Sequence, residues 1–404
     1  MSRNFARATV ATHANGNGES AFLPRLRIAM MLESDEPGGA EMMVYRLSDE
    51  LRRRGHTVVP VGPENGVGWL GDMFRKGGFT PEVYRLQRPI DPSCVKGLVE
   101  LFREHRIDLV HSHEFTMGVY GRAATRLLGL PHLITMHGGL TVCKALRRRI
   151  ALRWAMKTSE HVVMVSRATQ KQFADDLGVK PSRFTVIPNG VPTVPGDASR
   201  VRAEFGVDEH DCVILAVGVL EQHKGHRFLL EALARLEREK IGRPWKLIIA
   251  AGAGGSEHDD LLRIIRAEGL QGRVHLAFNR NDVSDLLALA DVFVMPSLWE
   301  GLPMAVLEAM VAGKAIIASR IAGIPEAIGD GQEGLLVPPG QVTPLTDALR
   351  RLIVDADRRK ALGVTAALRA NEDFTIGVMT SRYERLYATA YSRRQASPRR
   401  AAGA

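Results

Sequence analysis

The sequence predicts an α/β protein: two doubly wound parallel-sheet domains facing a central cleft. Three observations carry this. Short apolar runs alternate with helical patterns from Arg27 onward. The alternation breaks once, at Pro188-Asn189-Gly190-Val191-Pro192-Thr193-Val194-Pro195-Gly196, a stretch dense in turn formers, and then restarts. At 404 residues the chain has room for two or three domains of ordinary size. Strand–helix alternation is the pattern of a parallel sheet covered by helices on both faces.

In chain order, residues 1–24 are rich in Asn, Gly, Ser and Thr and are expected to be a disordered tail. The first domain is expected over 25–190. Its strands are Arg27–Leu32, His56–Val61, Ile107–His111, His132–Met136, His161–Val165 and Phe184–Ile187. Helices between them include Ala40–Arg54, Cys94–His105 and Thr116–Leu128. The second domain is expected over 191–375, with strands Cys212–Val217, Trp245–Ala250, Val274–Leu276, Val292–Met295, Ala315–Ala318 and Gly334–Val337. Phe228–Glu239 and Asp259–Glu268 are among its helices. The organisation reads as two Rossmann-like units, whose ligands bind at strand carboxyl ends and at domain interfaces. A last helix, Ile376–Ala390, carries Met379, Tyr383, Leu386, Tyr387 and Ala390 at helical spacing, so it must pack on something. Residues 392–404 read as a disordered basic tail.

Hydrophobic residues at 45% and charged residues at 25% are ordinary for a soluble globular protein. No apolar run reaches transmembrane length, and no apolar core follows Arg3 and Arg7, so no signal peptide is legible. The three cysteines, Cys94, Cys143 and Cys212, have neither zinc spacing nor a disulfide pattern, which fits a reducing cytoplasm. The net charge of +9 gathers partly in Lys144 to Lys157 and partly in Arg393, Arg394, Arg399 and Arg400. Neither cluster interleaves with aromatics, so nucleic acid is not the expected partner. Residues 144–157 read either as a solvated basic helix or as a contact with an anionic membrane surface. Leu146, Ile150 and Trp154 share a stripe, while Leu152 and Met156 point elsewhere.

The most informative motif is Glu300-Gly301-Leu302-Pro303 followed by Glu308, introduced by the strand-like run Asp291 to Ser297. Pro303 suits the first helical position, where its missing N–H is no loss. Glu300 then lies in the loop before the helix and Glu308 in its second turn. Carboxylates beside unpaired backbone donors suit a ligand with hydroxyls and phosphates, which describes a sugar nucleotide.

Other segments fall at strand ends. Glu33 to Glu41 contains Gly38 and Gly39 and opens a helix; it suits phosphate approach or an ordinary turn. Gly218 to Lys224-Gly225 lies in the equivalent place of the second domain, where Lys224 can pair with a diphosphate as a point charge. His137, in Thr135-Met136-His137-Gly138-Gly139, can face the cleft and bond a reacting group, or be structural. His111-Ser112-His113-Glu114 has residue types that suit a metal. Successive strand residues alternate faces, however, and no third histidine is spaced with them, so no metal site is expected. Gly323-Ile324-Pro325-Glu326 and Gly334 to Val337 are bland alone.

Taken in order, these segments resemble a retaining glycosyltransferase of the GT-B fold, glycosyltransferase family 4 (group 1). The resemblance runs from about Arg27 to Tyr391. It rests on Gly38-Gly39-Ala40-Glu41, His111-Ser112-His113, Thr135-Met136-His137-Gly138, Val186 to Val191, Gly218 to Gly225, Pro296 to Glu308, Gly323 to Glu326 and Gly334 to Val337. It implies a UDP- or GDP-linked sugar held mainly by the second domain and a glycan or lipid-linked acceptor on the first. It implies catalytic roles for His137, Lys224 and Glu300, with Gly38, Gly39, Gly218, Gly301, Leu302 and Glu308 also at the donor. Glu308 would hold the ribose and Lys224 the diphosphate, without metal or other cofactor. His111, His113 and Glu114 are expected on the acceptor side. The protein would work in the cytoplasm or at the inner face of the plasma membrane, in cell-surface polysaccharide or glycolipid synthesis.

One departure stands out. The family carries an arginine shortly after the glycine of the Val-Gly strand end, and here that place is Val219. His223, His226, Arg227 and Arg280 are the nearby replacements. Losing a charge-assisted bond to a leaving phosphate costs about 1.5–3 kcal/mol. The departure keeps one rival open, a catalytically impaired donor-binding subunit that supports a partner transferase; the rival enzyme reading is a sugar-nucleotide epimerase or a phosphorylase of the same two-domain architecture.

Overall fold

Why the chain makes two sheets is visible in its strands, which are buried along nearly their whole length, as parallel strands covered on both faces must be. The computed structural model describes residues 24–34, 38–64, 68–138, 145–252 and 255–396. The first sheet has seven parallel strands: β1 (Arg27–Met31), β2 (Thr57–Pro63), β3 (Glu82–Tyr84), β4 (Leu109–His113), β5 (His132–Met136), β6 (His161–Met164) and β7 (Phe184–Val186). Around it lie α1 (Gly39–Arg53), α2 (Trp69–Lys76), α3 (Pro92–Glu104), α4 (Glu114–Leu128), α5 (Leu146–Thr158) and α6 (Arg167–Leu177). Strand order is β3-β2-β1-β4-β5-β6-β7, and Ile28 pairs with Val58 on one side and Leu109 on the other.

The second sheet has six parallel strands: β8 (Cys212–Val217), β9 (Trp245–Ala251), β10 (Val274–Phe278), β11 (Val292–Met295), β12 (Ala315–Ser319) and β13 (Leu335–Val337). Its helices are α7 (Ala198–Glu204), α8 (His226–Glu239), α9 (His258–Ala267), α10 (Val283–Leu289), α11 (Met304–Val311), α12 (Ile324–Ala327), α13 (Val342–Val354) and α14 (Ala356–Asp373). The order β10-β9-β8-β11-β12-β13 repeats the plan of the first. In each sheet the winding reverses direction once, between β1 and β4 and between β8 and β11. A crevice opens at the strand carboxyl ends at such a point. The two doubly wound domains expected from sequence are therefore present.

The chain crosses between the sheets twice, side by side. Val191 of the first crossing donates to Phe374 and accepts from Ile376 at the second, and a side chain on Gly190 would strike the Thr375 carbonyl. After that crossing, α15 (Ile376–Ala396) returns to the first sheet. Its stripe of Met379, Tyr383, Tyr387 and Ala390 is buried; Tyr383 meets Thr135 at 3.1 Å and Tyr387 meets His111 at 2.7 Å. Arg54 clamps its outer side through Glu384, Ser381 and the Gly377 carbonyl.

Some expectations shift. Ser392–Ala396 continue α15, because Ala390 still packs inward and Arg394 donates to the Asp108 carbonyl, so the tail reading does not hold for them. Pro303 is the cap residue of α11, at φ −72° and ψ 126°, and Met304 takes the first helical position. Residues 1–23 and 397–404, and with them most of both expected tails, lie outside the described residues, as do Cys143, Gly139 and Lys144. Cys94 and Cys212 are free and buried. Among the described residues no helix is long and apolar enough to cross a membrane.

Candidate active site

Most of the sequence-derived site residues lie in the loops and helix starts that follow strand carboxyl ends; Glu308 lies within α11 and His111 in the middle of β4. Gly218 ends β8, and the loop from Pro296 to Pro303 follows β11. Lys224 closes a short turn, and its stem lies against Gly218; a Cβ there would meet its methylenes at 3.4–3.6 Å. Lys224 Nζ donates to Glu300 Oε1 at 2.7 Å, and Ser297 Oγ donates to the same oxygen at 2.8 Å. Both charged side chains are mostly buried. A paired, oriented carboxylate and ammonium at a strand end form a preorganised site for hydroxyls and phosphate. Gly225 makes the turn possible: its φ is +68°, and any Cβ would run into the Pro296 carbonyl.

The first domain faces this site closely. Gly301 packs against the His137 carbonyl so tightly that a Cβ would overlap it. Gly38 caps α1, and Gly39 lies within van der Waals reach of Met304 on α11. Arg46 of α1 pairs with Glu308 of α11 at 2.7 Å. Asn189 donates to the Leu302 carbonyl at 3.1 Å, and Leu302 itself is buried. Glu326, bland in sequence, accepts from the backbone of Arg167 and Ala168 at 2.8 Å each, and so caps α6 from the other domain.

His137 rests on a second layer. Its Nε2 lies 3.0 Å from His113 Nδ1, whose other nitrogen lies 3.1 Å from Met30 sulfur. Burial pushes His137 down to about 4 and His113 well below its ordinary value, so both rings are neutral near pH 7. His137 Nδ1 is buried and has no hydrogen-bond partner among the described residues. Its backbone N–H donates to Glu114 Oε1 at 2.9 Å. Glu114 adopts φ +64°, unusual for a residue with a side chain. Loss of hydration pushes it up to about 8, with Glu33 and Glu41 adding like charge.

His111 does not join this group. It is fully buried, with Nδ1 on Tyr387 and Nε2 on Thr135, so it anchors α15 rather than facing an acceptor. His113 lies beneath His137, also inside. Glu114 is tied to the backbone of His137 rather than to the strand interior. No group of three or more His, Cys, Asp or Glu side chains is placed to hold a metal ion among the described residues.

The replacements for the arginine expected at Val219 fare unequally. Arg280 is committed to Glu204 and Asp282 and is unavailable. His226 is buried and pushed down to about 4, hence neutral. His223 stacks on Trp299 at 4.6 Å and lies 3.2 Å from Glu221. Arg227 is exposed. Sequence reasoning missed Arg46, which belongs to no recognisable motif, and gave no role to Ser297, although it lies in the Pro296 to Glu308 segment.

Residues 37–194 match the family Glycosyltransferase Family 4, and residues 197–369 match Glycosyl transferases group 1. The alpha-maltose-1-phosphate synthase of Mycolicibacterium smegmatis is 29% identical over 66% of this chain and 75% of its own. A UDP-Gal:alpha-D-GlcNAc-diphosphoundecaprenol alpha-1,3-galactosyltransferase of Escherichia coli is 29% identical over 71% of this chain and 77% of its own. In structure, HepE of Anabaena in complex with UDP-glucose superposes with a TM-score of 0.77 at 23% identity, covering 90% of this chain and all of that one.

Proposed function

The chain belongs to glycosyltransferase family 4, and from that premise we propose that it moves a hexose-type sugar from a nucleotide diphosphate-sugar to an acceptor hydroxyl with retention. The observation that carries the proposal is the Lys224–Glu300 pair beside Gly218, with the next residue, Gly301, packed against the His137 carbonyl of the first domain. UDP-Gal, the donor of the Escherichia coli relative, and UDP-glucose, bound by HepE, support a UDP-linked donor over a GDP-linked one. The acceptor is a glycan or a lipid-linked glycan, in synthesis of cell-surface polysaccharide or glycolipid at the inner side of the plasma membrane.

In this reading Lys224 leaves Glu300 when the donor arrives and turns to the diphosphate. Glu300, still oriented by Ser297, then accepts from sugar hydroxyls beside Gly301 and Leu302. Glu308 takes the ribose hydroxyls. The bond between the anomeric carbon and the diphosphate oxygen breaks through an oxocarbenium-like state. The acceptor oxygen bonds to that carbon from the leaving-group face, and its proton passes to the departing phosphate. Negative charge growing on the phosphate is met by Lys224 and by the helix N-terminus at Gly38 and Gly39. His137 Nδ1 offers a hydrogen bond at the reaction centre, and Glu114 holds the His137 backbone from the acceptor side. This charge is carried without a divalent ion, so chelation is expected to leave turnover intact.

A second reading draws on Val219, Arg280 and His226: with one cation fewer at the diphosphate, the chain would be a donor-binding subunit of a partner transferase. A thermal-shift screen with UDP, GDP and ADP and their sugars, in EDTA, tests the proposal. One nucleotide raising Tm fixes the donor class and starts an acceptor search. No shift with any of them rejects the donor site.

A further inference from the structure

A groove of about 1000 Å³ runs along the outer side of the first domain, walled by α3, α4, α5 and the segment 86–92. Its floor is one stripe of α4: Phe115, Val119, Ala123 and Leu127, each four residues from the next. The twelve helical steps from Phe115 to Leu127 make that stripe about 18 Å long. Val95, Val99 and Ala151 continue the apolar lining. Ile90 and Leu127, 76% and 70% exposed, leave it open to solvent. An open apolar surface of this extent marks an interaction site.

Charge decides the occupant. The lining carries four cations, Arg88, Lys96, Arg147 and Arg148, and one acid, Asp91. Asp91 is buried, and its carboxylate caps α3 through Ser93 and accepts from Gln87 N. Arg148 lies 5.8 Å over the Phe115 ring. Position decides its orientation. Phe115 and Thr116 form one end of the groove, next to Glu114, whose carboxylate holds the His137 backbone. Glu33 already accepts from Thr116 N and Oγ1 there, so the partner for an anionic head at that end is Arg148 over Phe115, while a hydrocarbon tail follows α4 away from it. Helix α5 has two apolar stripes: Leu152, Ala155 and Met156 face the core, whereas Leu146, Ile150 and Trp154 face outward beside the groove. The unsegregated sequence pattern is therefore that of a helix, Leu146–Thr158, apolar on two sides.

We infer that this groove binds the hydrocarbon chain of an isoprenyl phosphate-type lipid acceptor, with Arg88, Lys96, Arg147 and Arg148 drawing its anionic head toward the Glu114 end. The inference rests on the transferase reading for the word acceptor, but the binding itself is independent of it.

Titration calorimetry with farnesyl phosphate as probe, against inorganic phosphate, tests it. The expected result is binding of farnesyl phosphate at least about tenfold tighter than of inorganic phosphate, since burying even a few methylenes has that effect. Ala123→Trp, which fills the floor, and Ile90→Glu, on an exposed position, each weaken it about tenfold or more. Both variants keep the wild-type thermal response to the donor nucleotide, which shows that they fold. Equal binding of the two probes, or farnesyl phosphate binding untouched by both variants, overturns the inference. So does binding to phosphatidylglycerol vesicles without binding of farnesyl phosphate, which assigns α5 to a bilayer surface instead. Farnesyl phosphate binding without any nucleotide response leaves the groove standing and removes the transferase reading.

Discussion

Arg46 of α1 and Glu308 of α11 form an ion pair of 2.7 Å that ties one domain to the other across the cleft. Each side chain is about one-fifth exposed, at 20% and 21%, so the pair is shielded well enough to matter. It also means that the carboxylate proposed for the ribose is held by the opposite domain before any donor arrives.

Arg46→Ala and Glu308→Gln are therefore expected to combine non-additively in thermal stability, with a coupling of about 0.5–3 kcal/mol. Arg46→Ala alone should weaken the donor nucleotide, because Glu308 loses its orientation. Additive effects and unchanged nucleotide affinity would show the pair to be incidental.

Lys224→Ala and Glu300→Gln are each expected to lower turnover by about 10²–10³-fold with circular dichroism unchanged. Because the two groups act as a pair, the double variant should lose much less than the product of the single losses. Near-normal rates in either single variant would sink the assignment.

Gly301→Ala tests how closely the domains must meet. A methyl group there collides with the His137 carbonyl. Turnover is expected to fall about 10²-fold, as small misplacements at a reacting centre do. Nucleotide affinity should change far less, since His137 belongs to the other domain. A variant with wild-type turnover would mean that this contact is absent in the working enzyme.

The pH dependence of stability has a defined sign. Glu114 is raised to about 8 by loss of hydration, so the native state holds its proton where the unfolded chain has lost it. Its contribution is complete below the ordinary carboxylate range and declines as pH rises through about 8. His137, depressed to about 4, works in the opposite sense: its contribution is complete above pH 6.5 and declines as pH falls through about 4. Glu114→Gln should flatten the decline in Tm between pH 5 and 8. An unchanged slope in that variant would place the titration elsewhere.

Much of this was legible in the chain because the buried strands are nearly continuous apolar runs, such as Cys212–Val217, and parallel sheets demand that pattern. The edge strand β3 has three residues and one buried side chain, too little for any periodicity to show. The Glu300 and Lys224 segments announce themselves because glycines and a proline punctuate them. His111 was misread because a sequence places it on one face of a strand without saying whether that face meets a cleft or a returning helix; Tyr387, 276 residues away, decides it. Arg280 was a candidate cation until folding set it against Glu204, 76 residues earlier. The left-handed backbone at Glu114 has no local signature, since no glycine or asparagine marks it.

The most direct test is calorimetric titration of UDP, then GDP, into wild type and Lys224→Ala in the presence of EDTA. One nucleotide should bind wild type, and the variant should lose about 1.5–3 kcal/mol of that binding, the worth of a charge-assisted bond to phosphate. Absence of binding by either nucleotide, or equal affinity in the variant, would contradict the account.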